Sequence, residues 1–245
     1  MLPGRPNQDP MLRTAILAVA FLCFATQFAA AQQDVTSVDG RPIYQGREIA
    51  QTMHYNGAPW LIRESRQREE DCQKMLENLG VKPGMTICDM GCGNGFYSLK
   101  LAEMVGKEGK ILAVDIQPEM LRLLKARAEE EGIENIDLIL GDIDNPKLPE
   151  GKVDMILCVD VYHEFSHPVE MLTGMRQSLK PDGKVALLEF RMEDPNVPIK
   201  LLHKMSKKQA ILEYEANGFQ LASEFDGLPW QHMMFFEKAK QTPEE

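Results

Sequence analysis

Thr86-Ile-Cys-Asp-Met-Gly-Cys-Gly-Asn-Gly95 is the stretch that decides the fold. Its first five residues, Thr86 to Met90, read as a short buried strand that runs into a loop with glycine at 91, 93 and 95. A helix follows from about Tyr97 through Leu99, Leu101, Ala102 and Met104 towards Gly106. Strand, glycine loop and helix in that order make a nucleotide-binding turn. Bare backbone lets a ligand approach closely, and the helix N-terminus offers free N–H groups. Many unrelated turns share a lone glycine loop, so the weight rests on what surrounds this one.

Twenty residues beyond Gly95, Ile111-Leu-Ala-Val-Asp115 is an apolar run ending in an acid, as expected of a second parallel strand whose tip holds ribose hydroxyls. Pro118 opens a helix that Gly132 stops. Ile136 to Leu140 reads as a third strand, and Val153 to Val159 as a fourth whose continuous apolar character suits a position covered on both faces. A helix from Pro168 to Leu179 and a fifth strand from Lys184 to Phe190 follow. This alternation predicts a parallel sheet with helices on both faces. Arg191 to Met205 is irregular, with prolines at 195 and 198. Ser206-Lys-Lys-Gln209 is a capping-box pattern opening a helix to Gly218, and strands over about Phe219–Phe225 and Met233–Glu237 close the fold.

With Asp89-x-Gly91-x-Gly93-x-Gly95, Asp115, Gly141-Asp142, Val153-Asp-Met-Ile-Leu-Cys-Val-Asp160 and Leu179-Lys-Pro-Asp-Gly-Lys184 in this order, the chain resembles the class I S-adenosylmethionine-dependent methyltransferases. The likeness is close over about residues 81–191 and looser to the chain end. It implies an α/β fold with a doubly wound, mostly parallel seven-stranded sheet, an N-terminal helical cap, and S-adenosylmethionine as cofactor. By resemblance, the backbone at Gly91, Gly93 and Gly95 lies against the methionine part, and Asp89 contacts its amino group. Asp115 takes the ribose hydroxyls with Ile116 on the adenine, and Asp142 accepts from the adenine amine with Ile143 beside it. A nicotinamide-dependent oxidoreductase fits less well, because the dinucleotide fingerprint wants its third glycine at position 96, which is Phe. A binding module that keeps the fold without turnover is the other alternative.

Asp160-Val-Tyr-His-Glu-Phe165 follows the fourth strand. Ligands of doubly wound sheets bind outside the carboxyl ends of strands, so these side chains are expected to face the transferred methyl. Displacement at a sulfonium-activated carbon runs mainly on positioning; where the nucleophile must lose a proton, His163 is the candidate base, with Glu164 or Asp160 orienting it. Its alternative is a packing role. His163 and His167 stand four apart without a helix pattern or third ligand, so no metal site is expected. Arg63, Arg66 and Arg68 read as a solvated charged face, and His54-Tyr55 and Trp230-Gln-His232 as packing residues. The acceptor is expected to be a small-molecule or lipid-like compound.

The formal net charge of −10, with no basic run, argues against a nucleic-acid partner. Arg13, the apolar run from Thr14 to Phe28 and Ala29-Ala30-Ala31 form a secretory signal pattern, cut after Ala31. The run is short for a stable membrane span, and an uncleaved N-terminal anchor is the alternative to export. The resulting organisation is signal peptide 1–31, linker 32–46, helical cap 47–79, cofactor-binding core 80–191, substrate-side segment and hairpin 192–238, and tail 239–245. No Cys-x-x-Cys pair occurs. Cys88 and Cys158 are read as buried thiols, or as a bridge between neighbouring strands. The sequence carries no indication of oligomeric state.

Overall fold

The structure, a computed structural model, describes residues 35–240. The expected signal peptide and the end of the tail lie outside the described residues. Among the described residues, no helix is long and apolar enough to cross a membrane.

The described residues open with a small antiparallel meander where a linker was expected: β1 (Thr36–Val38), β2 (Arg41–Tyr44) and β3 (Arg47–Glu48). Its turns are Asp39-Gly40 and Gln45-Gly46, with all four residues at positive φ. Two successive residues of that kind match the right-handed twist of a tight hairpin, so the x-Gly pairs specify strands here. The helical cap also differs from expectation. Residues 49–54 are irregular, a 3₁₀ stretch spans Tyr55–Ile62, and the rest of the cap is a helical stretch cut into two short pieces, α1 (Arg66–Glu70) and α2 (Cys72–Asn78). Asp71 breaks it by adopting a left-handed conformation and capping the Lys74 N–H with its side chain.

The core then alternates as read: β4 (Thr86–Met90), α3 (Phe96–Val105), β5 (Lys110–Asp115), α4 (Pro118–Glu131), β6 (Ile136–Leu140), β7 (Val153–Val159) and α5 (Pro168–Ser178). β8 (Leu179–Arg191) starts five residues earlier than expected. Its ladder with β7 shifts register between Val153 and Met155, which accommodates Pro181-Asp182-Gly183. α6 (Lys207–Ala216) is capped by Ser206, whose hydroxyl accepts from the Gln209 N–H, and β10 (Phe219–Phe225) and β11 (Gln231–Lys238) end the fold.

The sheet order is β10-β11-β8-β7-β4-β5-β6. β4, β5, β6, β7 and β8 pair in parallel, while β11 runs antiparallel between β8 and β10. This is the doubly wound seven-stranded arrangement expected, with one addition. A two-residue strand, β9 (Lys204–Met205), pairs in parallel with Phe190 and Arg191 at the end of β8. Chain order reverses between β4 and β7, so the loops leaving these two strands diverge and open a crevice at the sheet's carboxyl edge. Cys88 stands opposite Ile156, two residues off Cys158, and all four described cysteines are free buried thiols rather than bridged.

Candidate active site

The crevice is a cavity of about 530 Å³, within the usual range for small-ligand sites. The glycine turn forms its floor. Gly91 and Gly93 lie on the wall, and the Gly93 N–H donates to Asp115 Oδ2 at 2.9 Å. The Gln117 N–H donates to Asp115 Oδ1 at 2.8 Å, so backbone donors fix the plane of this carboxylate at the tip of β5. Burial pushes its carboxyl up against the pull of those donors. Ile116 and Ile143 line the same cavity, and each keeps an exposed apolar face, 36% and 52% respectively. Asp142 is on the wall too, paired with Lys147 at 2.9 Å.

Two expected cofactor residues sit elsewhere. Gly95 is off the cavity; a Cβ there would stand 2.1 Å from Leu124 Cδ1, so its bareness lets the start of α3 press against α4. Asp89 is off the wall as well, with Oδ2 accepting from Ser98 Oγ at 2.5 Å, and burial raises its pKa to about 6. A different acid meets the cavity. Asp160, at the end of β7, accepts from Gln231 Nε2 through Oδ2 at 2.7 Å, while its Oδ1 is buried without a partner. Burial first, then the charges of Glu70 and Glu189, push its carboxyl well up. A cationic ligand group against Oδ1 would relieve that strain, and S-adenosylmethionine carries both an ammonium and a sulfonium. The site's donors and acids fit it.

The opposite wall is made of side chains. His163 sits in a short 3₁₀ turn, Tyr162–Glu164, almost fully buried. Glu189, the one acid within the apolar run of β8, engages it twice: Oε1 accepts from the His163 N–H at 3.2 Å and Oε2 meets Nδ1 at 2.7 Å. Glu189, not Glu164 or Asp160, therefore orients the ring, and the carboxylate keeps the proton on Nδ1. From behind, Arg47 Nη1 and the Ala50 N–H donate to the His163 carbonyl at 3.0 and 3.1 Å. Arg47 is itself clamped by buried Glu213, which also accepts from the Tyr162 hydroxyl.

His163 Nε2 points to His203 Nδ1 at 3.0 Å, and Glu164 Oε1 lies 3.8 Å from each of those nitrogens. Glu164 Oε2 accepts from the Met53 N–H. β9 brings His203 here by stitching the irregular segment to the end of β8, and the imidazole of His232 helps through Nε2 against the Met205 carbonyl at 2.8 Å. Burial opposes charge on His163, yet the Glu189 carboxylate outweighs it and the pKa is raised. Burial lifts Glu164 to about 7, and burial together with His163 lowers His203. His167 is not part of this cluster; its Nδ1 meets the Ser166 hydroxyl.

The arginines also depart from the solvated reading. Arg66 is buried on the cavity wall, bonded to Glu70 at 2.8 Å and stacked over Phe96 and Tyr97. Arg63 holds Glu69 and Glu70 and lies over Trp60 at 3.7 Å. Only Arg68 is exposed as expected. Of the missed residues, Glu189 carried a signal, an acid inside a strand otherwise apolar; His203 carried none.

A family model described as "Methyltransferase domain" matches residues 81–238. The chain is 30% identical over 115 residues to a nocamycin O-methyltransferase of Saccharothrix syringae, covering 47% of this chain and 41% of that protein. It is 30% identical over 129 residues to a demethylmenaquinone methyltransferase of Lactococcus lactis, covering 51% and 49%. The chain thus spans about half the length of the curated relatives it matches. Among solved structures it is similar to an S-adenosylmethionine-dependent methyltransferase from Aquifex aeolicus, with a TM-score of 0.71, 26% identity, and 76% and 98% of the two chains covered.

Proposed function

The chain belongs to the methyltransferase domain family, and from that premise we propose that it transfers a methyl group from S-adenosylmethionine to a small-molecule acceptor. The observation that carries this reading is one cavity with two unlike walls: a backbone wall of Gly91, Gly93 and Asp115, and a polar side-chain wall centred on His163. The cofactor supplies a methyl carbon activated by sulfonium. Asp115 holds the ribose hydroxyls, Ile116 and Ile143 cover the adenine, and the free oxygen of Asp160 takes the ammonium. The acceptor docks between Met53, Trp60, Phe190 and Ile199, which suit an apolar body. Its reactive atom meets the His163 wall, and Nε2 of His163 takes its proton while Glu189 keeps the ring oriented. The names of the relatives, a nocamycin O-methyltransferase and a demethylmenaquinone methyltransferase, agree with a small-molecule acceptor.

Calorimetric titration tests the cofactor half: S-adenosylmethionine should bind tighter than NAD, and tighter NAD binding would sink the reading. Methyl release to a panel of quinols, phenols and thiols tests the acceptor half. Cofactor binding with no turnover on any acceptor would leave a binding module. We further propose that the protein is exported, on the strength of Arg13, the apolar run and Ala29-Ala30-Ala31. N-terminal sequencing of protein from its own cell should begin at Gln32; intact chain recovered only from cytosol would refute it.

A further inference from the structure

Three ligand-type atoms converge on the acceptor side of the cavity from two separate parts of the chain. His163 Nε2, His203 Nδ1 and Glu164 Oε1 form a triangle with sides of 3.0, 3.8 and 3.8 Å. The circle through three points so spaced has a radius of about 2.1 Å, so one position lies that far from all three. Zinc-type ions bind imidazole nitrogen and carboxylate oxygen at roughly 2.0–2.2 Å. The triangle therefore has the size of a coordination shell without any side-chain movement.

We propose that His163, Glu164 and His203 bind a divalent transition-metal ion of the zinc type, with its open coordination position facing the cavity. Two imidazoles and one carboxylate are a donor set that such ions take, and three protein ligands leave a position for water or substrate. The surroundings are those of a built site. Glu189 Oε2 holds His163 Nδ1, which leaves the Nε2 lone pair on the side of His203, and a carboxylate on the far nitrogen is how metal-binding histidines are commonly oriented. The second oxygen of Glu164 is fixed by the Met53 N–H. His203 is held by β9 beside Phe190. All three ligands line the cavity, so the fourth position opens onto the acceptor space.

The ion site stands on this geometry alone; its role in methyl transfer rests on the methyl-transfer reading above and would replace the base role given there to His163. Ion binding and proton acceptance use the same lone pair of His163. In the loaded protein an acceptor hydroxyl or thiol would ionise on the ion, releasing its proton to water, and His163 would act as a ligand rather than a base. The proposal departs from the expectation of no metal site.

The test uses the full chain, stripped with chelator and freed of it. Zinc titrated by calorimetry should bind at one ion per chain, and cobalt(II) should give visible bands of a low-coordinate site. His203→Ala, on a partly exposed turn, should weaken zinc binding at least tenfold, and Glu189→Gln about 10- to 100-fold. S-adenosylmethionine binding, read on the same samples, checks that each variant is folded. No bound zinc in the wild type, or equal binding by a folded His203→Ala, overturns the site. Once an acceptor is known, chelated protein should lose turnover and regain it with zinc. Turnover unchanged by chelation would overturn the catalytic role, leaving methyl transfer itself intact.

Discussion

The two walls of the cavity are built in opposite ways. The wall proposed for the cofactor is made largely of main chain: Gly91, Gly93 and the N–H groups that set Asp115 lie within a strand–loop–helix unit and the strand beside it. The wall proposed for the acceptor is made of the side chains of His163, Glu164 and His203, and the bonds that tie His163 to Arg47, Glu189 and His203 span 116, 26 and 40 residues of chain. A wall made of backbone tolerates side-chain change but not a change of backbone shape. A wall made of interlocked polar side chains fails when one member is removed. Substitutions on the two sides should therefore produce different losses, affinity on one and rate on the other.

The sharpest version of that contrast is His163→Ala, expected to lower turnover by about 10²–10⁴-fold while S-adenosylmethionine affinity stays close to wild type. Stopped rates and calorimetry on one preparation decide it. An equal loss of binding and turnover would mean that the walls are not separable.

This division also explains what could be read from sequence. β4 to β8 and both terminal strands follow from local signals: apolar runs, Pro at helix starts, Gly at helix ends. That Asp115 and Asp160 stand at the tips of their strands was legible, because a strand tip is a position along the chain, but the orienting role expected of Asp160 falls to Glu189. The pairing of His163 with Glu189 was not, because it depends on β8 lying beside β7 in a particular register. His203 was further out of reach, since it arrives through a two-residue strand in a stretch with no periodicity. Arg66 was misread because its charge is matched by Glu70 four residues on, a pattern equally at home on a solvated helix. Gly95 and Asp89 were placed with the cofactor by motif, whereas packing against Leu124 and bonding to Ser98 explain them locally.

Asp89 gives the next test. Its pKa of about 6 in the folded protein is raised above the ordinary 3.8 by burial. The folded state then binds the proton more tightly than the unfolded state, so this group's contribution is fully present below about pH 4 and is lost as pH rises through 6. The loss amounts to about 3 kcal/mol. Asp89→Asn should flatten the fall in denaturant midpoint between pH 4 and 7, with cofactor affinity unchanged. Weaker binding by Asp89→Asn would return Asp89 to the cofactor wall.

On the cofactor wall proper, Asp115→Ala should weaken S-adenosylmethionine by about 1–3 kcal/mol, the cost of hydroxyl partners left unmade. Turnover at saturating cofactor should survive, in contrast to His163→Ala. A collapse of turnover with intact binding would erase the distinction between the two walls.

The smallest expected effect is the most specific. Ile143 leaves 52% of its surface in solvent although it is a large aliphatic side chain on the cavity wall. Its removal costs the free protein little, because exposed positions outside special features change stability by roughly 0.5 kcal/mol or less. The same exposed face becomes buried if the adenine lies against it, and covering part of an isoleucine contributes about 1 kcal/mol. Ile143→Ala should thus leave the melting temperature unchanged and weaken S-adenosylmethionine several-fold. Free methionine lacks the adenine and should bind both proteins alike. If S-adenosylmethionine affinity were unchanged as well, the adenine would have to lie elsewhere on the wall, and the pairing of Ile116 with Ile143 as its two apolar faces would be wrong.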